Sequence, residues 1–303
     1  MEEPFVSIII ASRDRKNVLL ETLAIGCNII KDQPGEIIVI NDGDIPIEIP
    51  QDIFTQIHYL ENPGRGVSSA RNHGASKAKG DILFFIDDDM WITQQTLKKI
   101  YELHKDDFLK NNAIVMNWEY PEKLQKDMST KKIGRYILRS NYHTLEGRLH
   151  KKIDYTQPLL PINGIGSGSF VIDKKIFKNI GGYNENIYFQ GEDIDITNRM
   201  IKQKINIYLS TEITCFHNQS DRLDLNNFLQ RTEQGYQSQV NSGVMEMKES
   251  KVQFYQFLLP FVSTLKLLYS LTPNIPFFDL ITFRLIGSLS ALTYTKAIRN
   301  GQS

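Results

Sequence analysis

Cysteine is nearly missing from this chain of 303 residues: Cys27 and Cys215 are the two it has. Two thiols can build neither a disulfide framework nor a four-thiolate zinc site, and they suit a reducing compartment. A surplus of charge is missing as well. Lys and Arg number 35, Asp and Glu also 35, so a basic surface devoted to nucleic acid is not expected, and no nucleic-acid partner is predicted. No clean run of ~20 apolar residues occurs; the apolar stretches toward the C-terminus are broken by Pro260, Lys266, Pro273, Asp279 and Arg284. The opening MEEPFVSIIIASRDR lacks a basic segment followed by an apolar one. No signal peptide is therefore expected, and the location predicted is cytoplasmic. Repeats and low-complexity tracts are absent too. So are HExxH, CxxC, a GxSxG nucleophile elbow and a Walker A loop, which removes a separate zinc site, an elbow-type serine hydrolase and a P-loop nucleotidase.

What is present is globular. Hydrophobic residues make up 41% and charged residues 23%, which excludes a wholly disordered chain, and the length allows one large domain or two smaller ones. The apolar pattern predicts strands at Phe5–Ala11, Glu36–Ile40, Ile57–Leu60, Asp81–Ile86 and Ala113–Trp118. Helical spacing covers Asn17–Ile30, Ser68–Lys79 and Thr93–His104. This alternation predicts a parallel α/β sheet, whose ligands gather beyond the carboxyl ends of the strands. Residues 119–160 are more polar and read as an insertion or lid. A Gly-rich loop and strand follow at Gly164–Ile172, then a helix at Glu192–Lys202 and two short strands at Ile205–Leu209 and Ile213–Phe216. Beyond Asp221 the pattern is helical.

Three adjacent carboxylates, Asp87, Asp88 and Asp89, close the strand ILFFI. They repel one another, and a divalent cation is the simplest compensation; carboxylate oxygens suit Mg²⁺ or Mn²⁺, and the alternative is a solvated acidic turn. Asp42 follows the second strand and could accept hydrogen bonds from a base or ribose, or simply form the turn with Gly43. Arg71 lies near a helix start, where a cation is unfavourable unless an anion is close. A diphosphate or a surface acid would satisfy it. Glu192 and Asp193 open a helix, as a general base or as dipole stabilisation. Only one of them should point at any given target. His217 follows the last strand as a third metal ligand or a loop histidine.

Taken in order, these segments resemble the family 2 glycosyltransferases of the GT-A fold. VSIIIASRDR resembles the family's first strand and nucleotide loop, EIIVINDGD its second strand and base-binding Asp, and NPGRGVSSARNHGASKAKGDILFFIDDD its ARNxG helix and Asp-x-Asp motif. GGYNENIYFQGEDIDITNRM resembles its GGF/YDE…GED segment, and His217 stands where many members carry a histidine. The resemblance covers roughly residues 4–220. It implies a mixed, mainly parallel GT-A sheet flanked by helices, with a catalytic domain over 1–220 and a helical region over 221–303. It also implies an inverting enzyme that moves one sugar from a nucleotide-sugar donor, a UDP-sugar, to a hydroxyl of a glycan or lipid-linked acceptor. Asp42 would bind uracil. Ser12 and Arg13 would line the nucleotide pocket, Arg71 and Asp88 would serve donor binding, and Asp87 would meet ribose or metal. Asp89, with His217, would hold Mn²⁺ or Mg²⁺ on the diphosphate. Asp193 would be the base and Glu192 would shape the acceptor site. The family's PTYN is here Ala11-Ser12-Arg13-Asp14, its DDGS is Asn41-Asp42-Gly43-Asp44, and the QxxRW of processive members is absent. Transfer of a single sugar is the expectation.

Two other classes compete. A metal-dependent nucleotidyltransferase would need the same carboxylates but also a Gly-rich basic loop after the first strand, and Ala11–Arg15 holds no glycine. A non-catalytic nucleotide-sugar-binding module would have no need of Asp87, Asp89 and Asp193 together. In the C-terminal third, Phe254–Leu271 and Phe277–Ile298 show helical apolar faces, with Lys251, Lys266, Arg284, Lys296 and Arg299 as basic groups and a break at Pro273 and Pro276. The pair reads either as helices lying peripherally on a membrane face or as helices packed on the protein or on a second copy in a homo-oligomer.

Overall fold

The computed structural model describes residues 5–31, 33–139, 141, 143–166, 168–241 and 259–301. The chain opens with β1 (Val6–Ser12), α1 (Lys16–Ile30), β2 (Gly35–Asn41), α2 (Gln51–Phe54), β3 (His58–Glu61), α3 (Gly66–Lys77) and β4 (Ile82–Asp87). It continues through β5 (Met90–Trp91), α4 (Gln94–Lys105), β6 (Asn112–Glu119), α5 (Glu122–Thr130), α6 (Lys132–Arg139) and α7 (Leu145–Leu149). Then come β7 (Leu159–Pro161), β8 (Ser169–Asp173), α8 (Lys174–Asn179), α9 (Glu192–Lys202) and β9 (Asn206–His217). It ends with α10 (Leu225–Asn241), α11 (Val262–Leu271) and α12 (Asp279–Gly301). Residues 254–258 of the first expected C-terminal helix, Lys251, and the side chains of Lys296 and Arg299 lie outside the described residues.

Two compact units result. The first takes residues 1–119, 153–188 and 192–218; the second takes 120–152, 189–191 and 219–303. Instead of one change of domain near residue 220, the chain changes unit several times. Of the polar stretch expected as an insertion or lid, 119–160, residues 120–152 belong to the second unit with the C-terminal helices and 153–160 to the first.

The first unit is a mixed sheet in the order β3-β2-β1-β4-β8-β6-β9-β5, with β7 on β9. Its β3-β2-β1-β4 half is parallel, while β8 runs antiparallel to both β4 and β6. β1 and β4 are fully buried over most of their length, which is why they read as near-continuous apolar runs rather than alternating ones. Successive residues feed opposite faces. Ile8, Ile10, Phe84 and Ile86 join Leu19, Leu23 and Cys27 of α1 in one core. On the other face α3 comes so close that a Cβ on Gly74 would meet Ile9 and Ile40 side chains at 2.6 Å. Phe85 stacks there on Phe170, with Phe177 tilted against it and Tyr183 edge-on.

The expected strands at 205–209 and 213–216 are one strand, β9. Its parallel register with β6 jumps between Met116↔Ser210 and Asn117↔Thr214, so an irregularity breaks the alternation in the middle and makes one strand read as two. Strand β5, only two residues long, went unread because so short a piece carries no periodicity. It pairs Met90 with His217 of β9.

The second unit is helical. Arg135 on α6 holds both carboxylate oxygens of Asp279 at the start of α12, at 2.8–2.9 Å, and Lys132 Nζ donates to the Tyr269 carbonyl at 2.7 Å. Ile286, Leu289 and Leu292 of α12 are buried. Among the described residues no helix is long and apolar enough to cross a membrane.

Candidate active site

The register of the parallel strands brings their carboxyl ends to one edge: Ser12 lies opposite Asn41, and Ala11 opposite Asp87. Asp42 and the Asp87–Asp89 cluster therefore share the edge where an α/β sheet takes its ligands.

Asp42 shapes the rim. Its Oδ1 accepts from Asn62 Nδ2 at 2.7 Å and from the Gly66 amide at 2.8 Å. Gly66 has φ +86°, and a Cβ there would sit 2.5 Å from the Tyr188 carbonyl oxygen, so only glycine fits this turn. Arg13 is exposed at the same edge, 3.6 Å from Asp14.

The three aspartates part company. Asp87 is partly open, its side chain 38% exposed, and accepts from Arg71 Nη2 at 2.7 Å. Gly168 lies against it; a Cβ there would be 3.2 Å from Asp87 Oδ2. Asp88 turns inward, where Ser12 Oγ donates to it at 2.7 Å and the Arg15 guanidinium pairs with it. Burial raises the Asp88 carboxyl and Arg15 opposes the rise. Asp89 is fully buried, with Arg15 Nη2 at 2.9 Å from one oxygen and His217 Nε2 at 3.2 Å from the other. The His217 ring meets Trp118 edge-on at 4.8 Å, and the β5–β9 pairing fixes where it stands.

A carboxylate oxygen beside an imidazole nitrogen in a buried setting is a donor set that suits Mn²⁺. Among the described residues no cluster of three metal-ligating side chains occurs.

Arg71 joins the cluster to α9. Its side chain is 2% exposed, with Nη2 on Asp87 and Nη1 on Glu192 Oε1, both at 2.7 Å; its guanidinium also stands over the Tyr183 ring at 5.4 Å. Burial works against its charge, but Tyr183, Glu192 and Asp87 outweigh that and hold its pKa above the ordinary arginine value. The charge of Arg71 is met within the protein by Asp87 and Glu192, the acid-paired alternative of the two the sequence left open, and the Ser12 hydroxyl donates to Asp88. In each case a buried charge must be paired within the fold.

Asp193, next to Glu192, is half-buried. Burial, then the neighbouring Glu192, pushes its carboxyl up to about 6, against the pull of the Ile194 amide that donates to it. Glu192 pairs with Arg71, while the Asp193 side chain stays partly open to solvent. Both cysteines are buried, and burial raises both thiols, which leaves no thiolate nucleophile. Arg15, three residues past β1, pairs with Asp88 and Asp89, and its distance of more than 70 positions along the chain from them hides that pairing from local sequence patterns.

This fold and this acidic edge define a GT-A glycosyltransferase domain. Residues 7–181, more than half of the chain, match the model for glycosyl transferase family 2, and the chain belongs to that family. Residues 147–218 match the model described as the N-terminal domain of galactosyltransferase. The chain is 36% identical over 72 residues to the glycosyltransferase GlyA of Streptococcus pneumoniae, covering 22% of this chain and 10% of that protein. It is 31% identical over 136 residues to an uncharacterized protein of Haemophilus influenzae, covering 42% and 60%. The matches thus span a tenth and three fifths of these curated relatives. Among solved structures, GalNAc-T7 with UDP, GalNAc and Mn²⁺ superposes with a TM-score of 0.50 at 16% identity, over 71% of this chain and 43% of that one. Staphylococcus aureus TarS gives 0.48 at 12% identity, over 97% and 55%.

Proposed function

We propose that this chain transfers one sugar from a UDP-sugar to a hydroxyl acceptor with inversion at the anomeric carbon. The observation that carries this reading is the Asp87–Arg71–Glu192 tie, which holds the strand-end carboxylates and the helix of Asp193 in one unit. Asp42 and Arg13 would receive the nucleotide at the rim. Asp87 would orient the ribose. Asp89 and His217 would hold a divalent cation, which when bound neutralises charge on the departing diphosphate. Asp193 would take the proton from the acceptor hydroxyl. The freed oxygen attacks the anomeric carbon from the face opposite the diphosphate, a C–O bond forms as the C–O bond to diphosphate breaks, and UDP leaves. Arg71 and Arg15 act on the carboxylates, fixing their direction and suppressing their mutual repulsion.

The test is a thermal-shift panel of UDP-, GDP-, CDP- and dTDP-sugars, with and without Mn²⁺. A ligand that binds only the native state stabilises it by about 2.7 kcal/mol at a hundred times its Kd. A shift that needs both a UDP-sugar and Mn²⁺ is expected. A response to a nucleoside triphosphate with a sugar phosphate, releasing diphosphate, would replace the reading. Asp89→Asn should abolish the Mn²⁺-dependent part of the shift while the metal-free baseline melting stays within a few degrees; an unchanged Mn²⁺ response would remove Asp89 from the metal shell.

We also propose peripheral membrane contact at the cytoplasmic face through α11 and the turn into α12. Leu271 is 69% exposed and Phe277 is 86% exposed, and Leu267, Ile275, Leu280 and Ile281 are each at least half exposed. So dense an exposed apolar stretch marks a contact surface, and burying each such side chain is worth about 1.5–3 kcal/mol. The double variant Leu271→Asp/Phe277→Asp should co-sediment with phosphatidylglycerol–phosphatidylethanolamine vesicles at least about tenfold more weakly. Equal sedimentation, or a dimer that the same variant dissociates, would assign the surface elsewhere.

A further inference from the structure

Arg15 divides one carboxylate with the imidazole beside it. Its backbone is fixed at the N-terminal cap of α1, where its carbonyl accepts from the Leu19 amide at 3.0 Å. From there the guanidinium reaches both inner aspartates: Nη1 pairs with Asp88 Oδ1, and Nη2 lies 2.9 Å from Asp89 Oδ2. The other oxygen of Asp89 faces His217 Nε2 at 3.2 Å. One oxygen of Asp89 is therefore turned to a fixed positive charge, the other to the side chain with which it would hold a divalent cation.

The aspartates are the anchored side of this contact. The Asp88 carbonyl accepts from Thr22 Oγ1 at 2.7 Å, and its Oδ2 accepts from Ser12 Oγ at 2.7 Å. The Asp89 carbonyl accepts from the Asn218 amide at 2.7 Å, and Asn218 Nδ2 donates in turn to Glu21 at 2.7 Å. Thr22 and Glu21 both lie on α1, so the helix that Arg15 opens also pins the backbone of its two partners. Asp89 is fully buried, whereas the Arg15 side chain is 15% exposed. Arg15 is the member of the pair with solvent to move into.

A guanidinium on one oxygen of a carboxylate lies within a few ångströms of any cation on the other. Like charges that close, in a site poor in water, repel strongly. Asp89 therefore takes a free divalent ion only against Arg15. The oxygens of a nucleoside diphosphate carry negative charge that offsets both cations at once. Arg71 does not share this position, since its two terminal nitrogens meet Asp87 and Glu192.

We infer that Arg15 is an electrostatic gate on cation uptake: it keeps Asp89 charge-paired in the nucleotide-free protein and admits a divalent cation only together with a nucleoside diphosphate. This rests on the reading of Asp89 and His217 as the place of the cation. By linkage, the two ligands then tighten each other by the same factor. A purely structural Arg15 gives the opposite sign, because its removal would loosen the aspartates and weaken cation binding.

Titration of Mn²⁺ into the full chain, with the free ion followed by electron paramagnetic resonance, tests the gate. UDP is the nucleotide probe, neither donor nor acceptor is present, and the Mn²⁺ that UDP holds in buffer is subtracted. Wild type should bind Mn²⁺ at least about tenfold more tightly with saturating UDP than without it. Arg15→Gln should bind Mn²⁺ without UDP at least about tenfold more tightly than wild type, and Arg15→Lys, which keeps the charge, should stay within about threefold of wild type. Should Arg15→Gln fail to fold, the wild-type comparison with and without UDP and the Arg15→Lys result carry the test. An Arg15→Gln protein that binds Mn²⁺ no more tightly than wild type, an Arg15→Lys protein that gains as much as Arg15→Gln, or a wild-type affinity indifferent to UDP would overturn the gate. Absence of Mn²⁺ binding to every one of these proteins, even with UDP, would overturn the cation reading itself and the gate with it, so the two failures are told apart.

Discussion

Replacing Asp193 with Asn is expected to lower kcat by about 10²–10⁴, the usual contribution of a positioned general base, with nucleotide-sugar binding near the wild-type level. The side chain keeps its size and its place at the start of α9, so the loss would belong to proton transfer. The pH dependence adds a second readout. With its carboxyl raised to about 6, Asp193 must be ionised to act, so wild-type kcat/KM should fall with unit slope below about pH 6, and the residual activity of Asp193→Asn should lack that limb. The stability effect has the opposite sign. The folded state holds this proton up to about pH 6, whereas the unfolded chain gives it up near 4. Folding therefore carries a penalty that appears between pH 4 and 6 and is complete above it. Asp193→Asn should be more stable than wild type at pH 8, by about 1–2 kcal/mol after allowing for screening at a half-open position, and the gap should close below pH 4. A kcat within a fewfold of wild type would take the base role from Asp193.

Replacing Arg71 with Met should cost about 3–5 kcal/mol of unfolding free energy, because it leaves Asp87 and Glu192 beside an apolar side chain with their charge uncompensated. Both carboxylates accept from this guanidinium at 2.7 Å, and Glu192 is itself buried. Arg71→Lys should recover only part of that, since one ammonium cannot span two acceptors as a planar fork does. Urea unfolding of the single variants and of Arg71→Met/Glu192→Gln closes the cycle. The double variant should lose less than the sum, since it no longer strands Glu192. Additive losses, or less than 1 kcal/mol for Arg71→Met, would mean that the tie does not hold the site together. Activity should fall in Arg71→Lys even where the fold survives, because Asp87 then loses its fixed direction.

The strands β1, β2 and β4 and the helices α1, α3 and α4 were legible because each is a local pattern. Buried parallel strands read as short β-branched runs, and amphipathic helices repeat every three to four residues. The N-terminus of α4 was legible through Thr93, whose hydroxyl accepts from the Thr96 amide. The acidic edge was legible too, since carboxylates directly after parallel strands can only gather at one side of the sheet. Helices α5–α7 were not. They are short, at nine, eight and five residues, too brief for a repeat to stand out, and α6 is held by Asp279 at the start of α12, far along the chain.

Composition, periodicity and motif order by themselves determined the class of sheet, the edge where chemistry gathers and the family. The tertiary structure alone decided what each charge at that edge does. Arg71 meets Glu192 across 121 positions of sequence, and Ser12 meets Asp88 across 76. A two-residue strand sets His217 beside Asp89. Side-chain periodicity is a short-range property that the local backbone imposes. Pairing of buried charges is a long-range one, settled only when the closed sheet excludes water and leaves each ion no partner but the one the fold has brought to it.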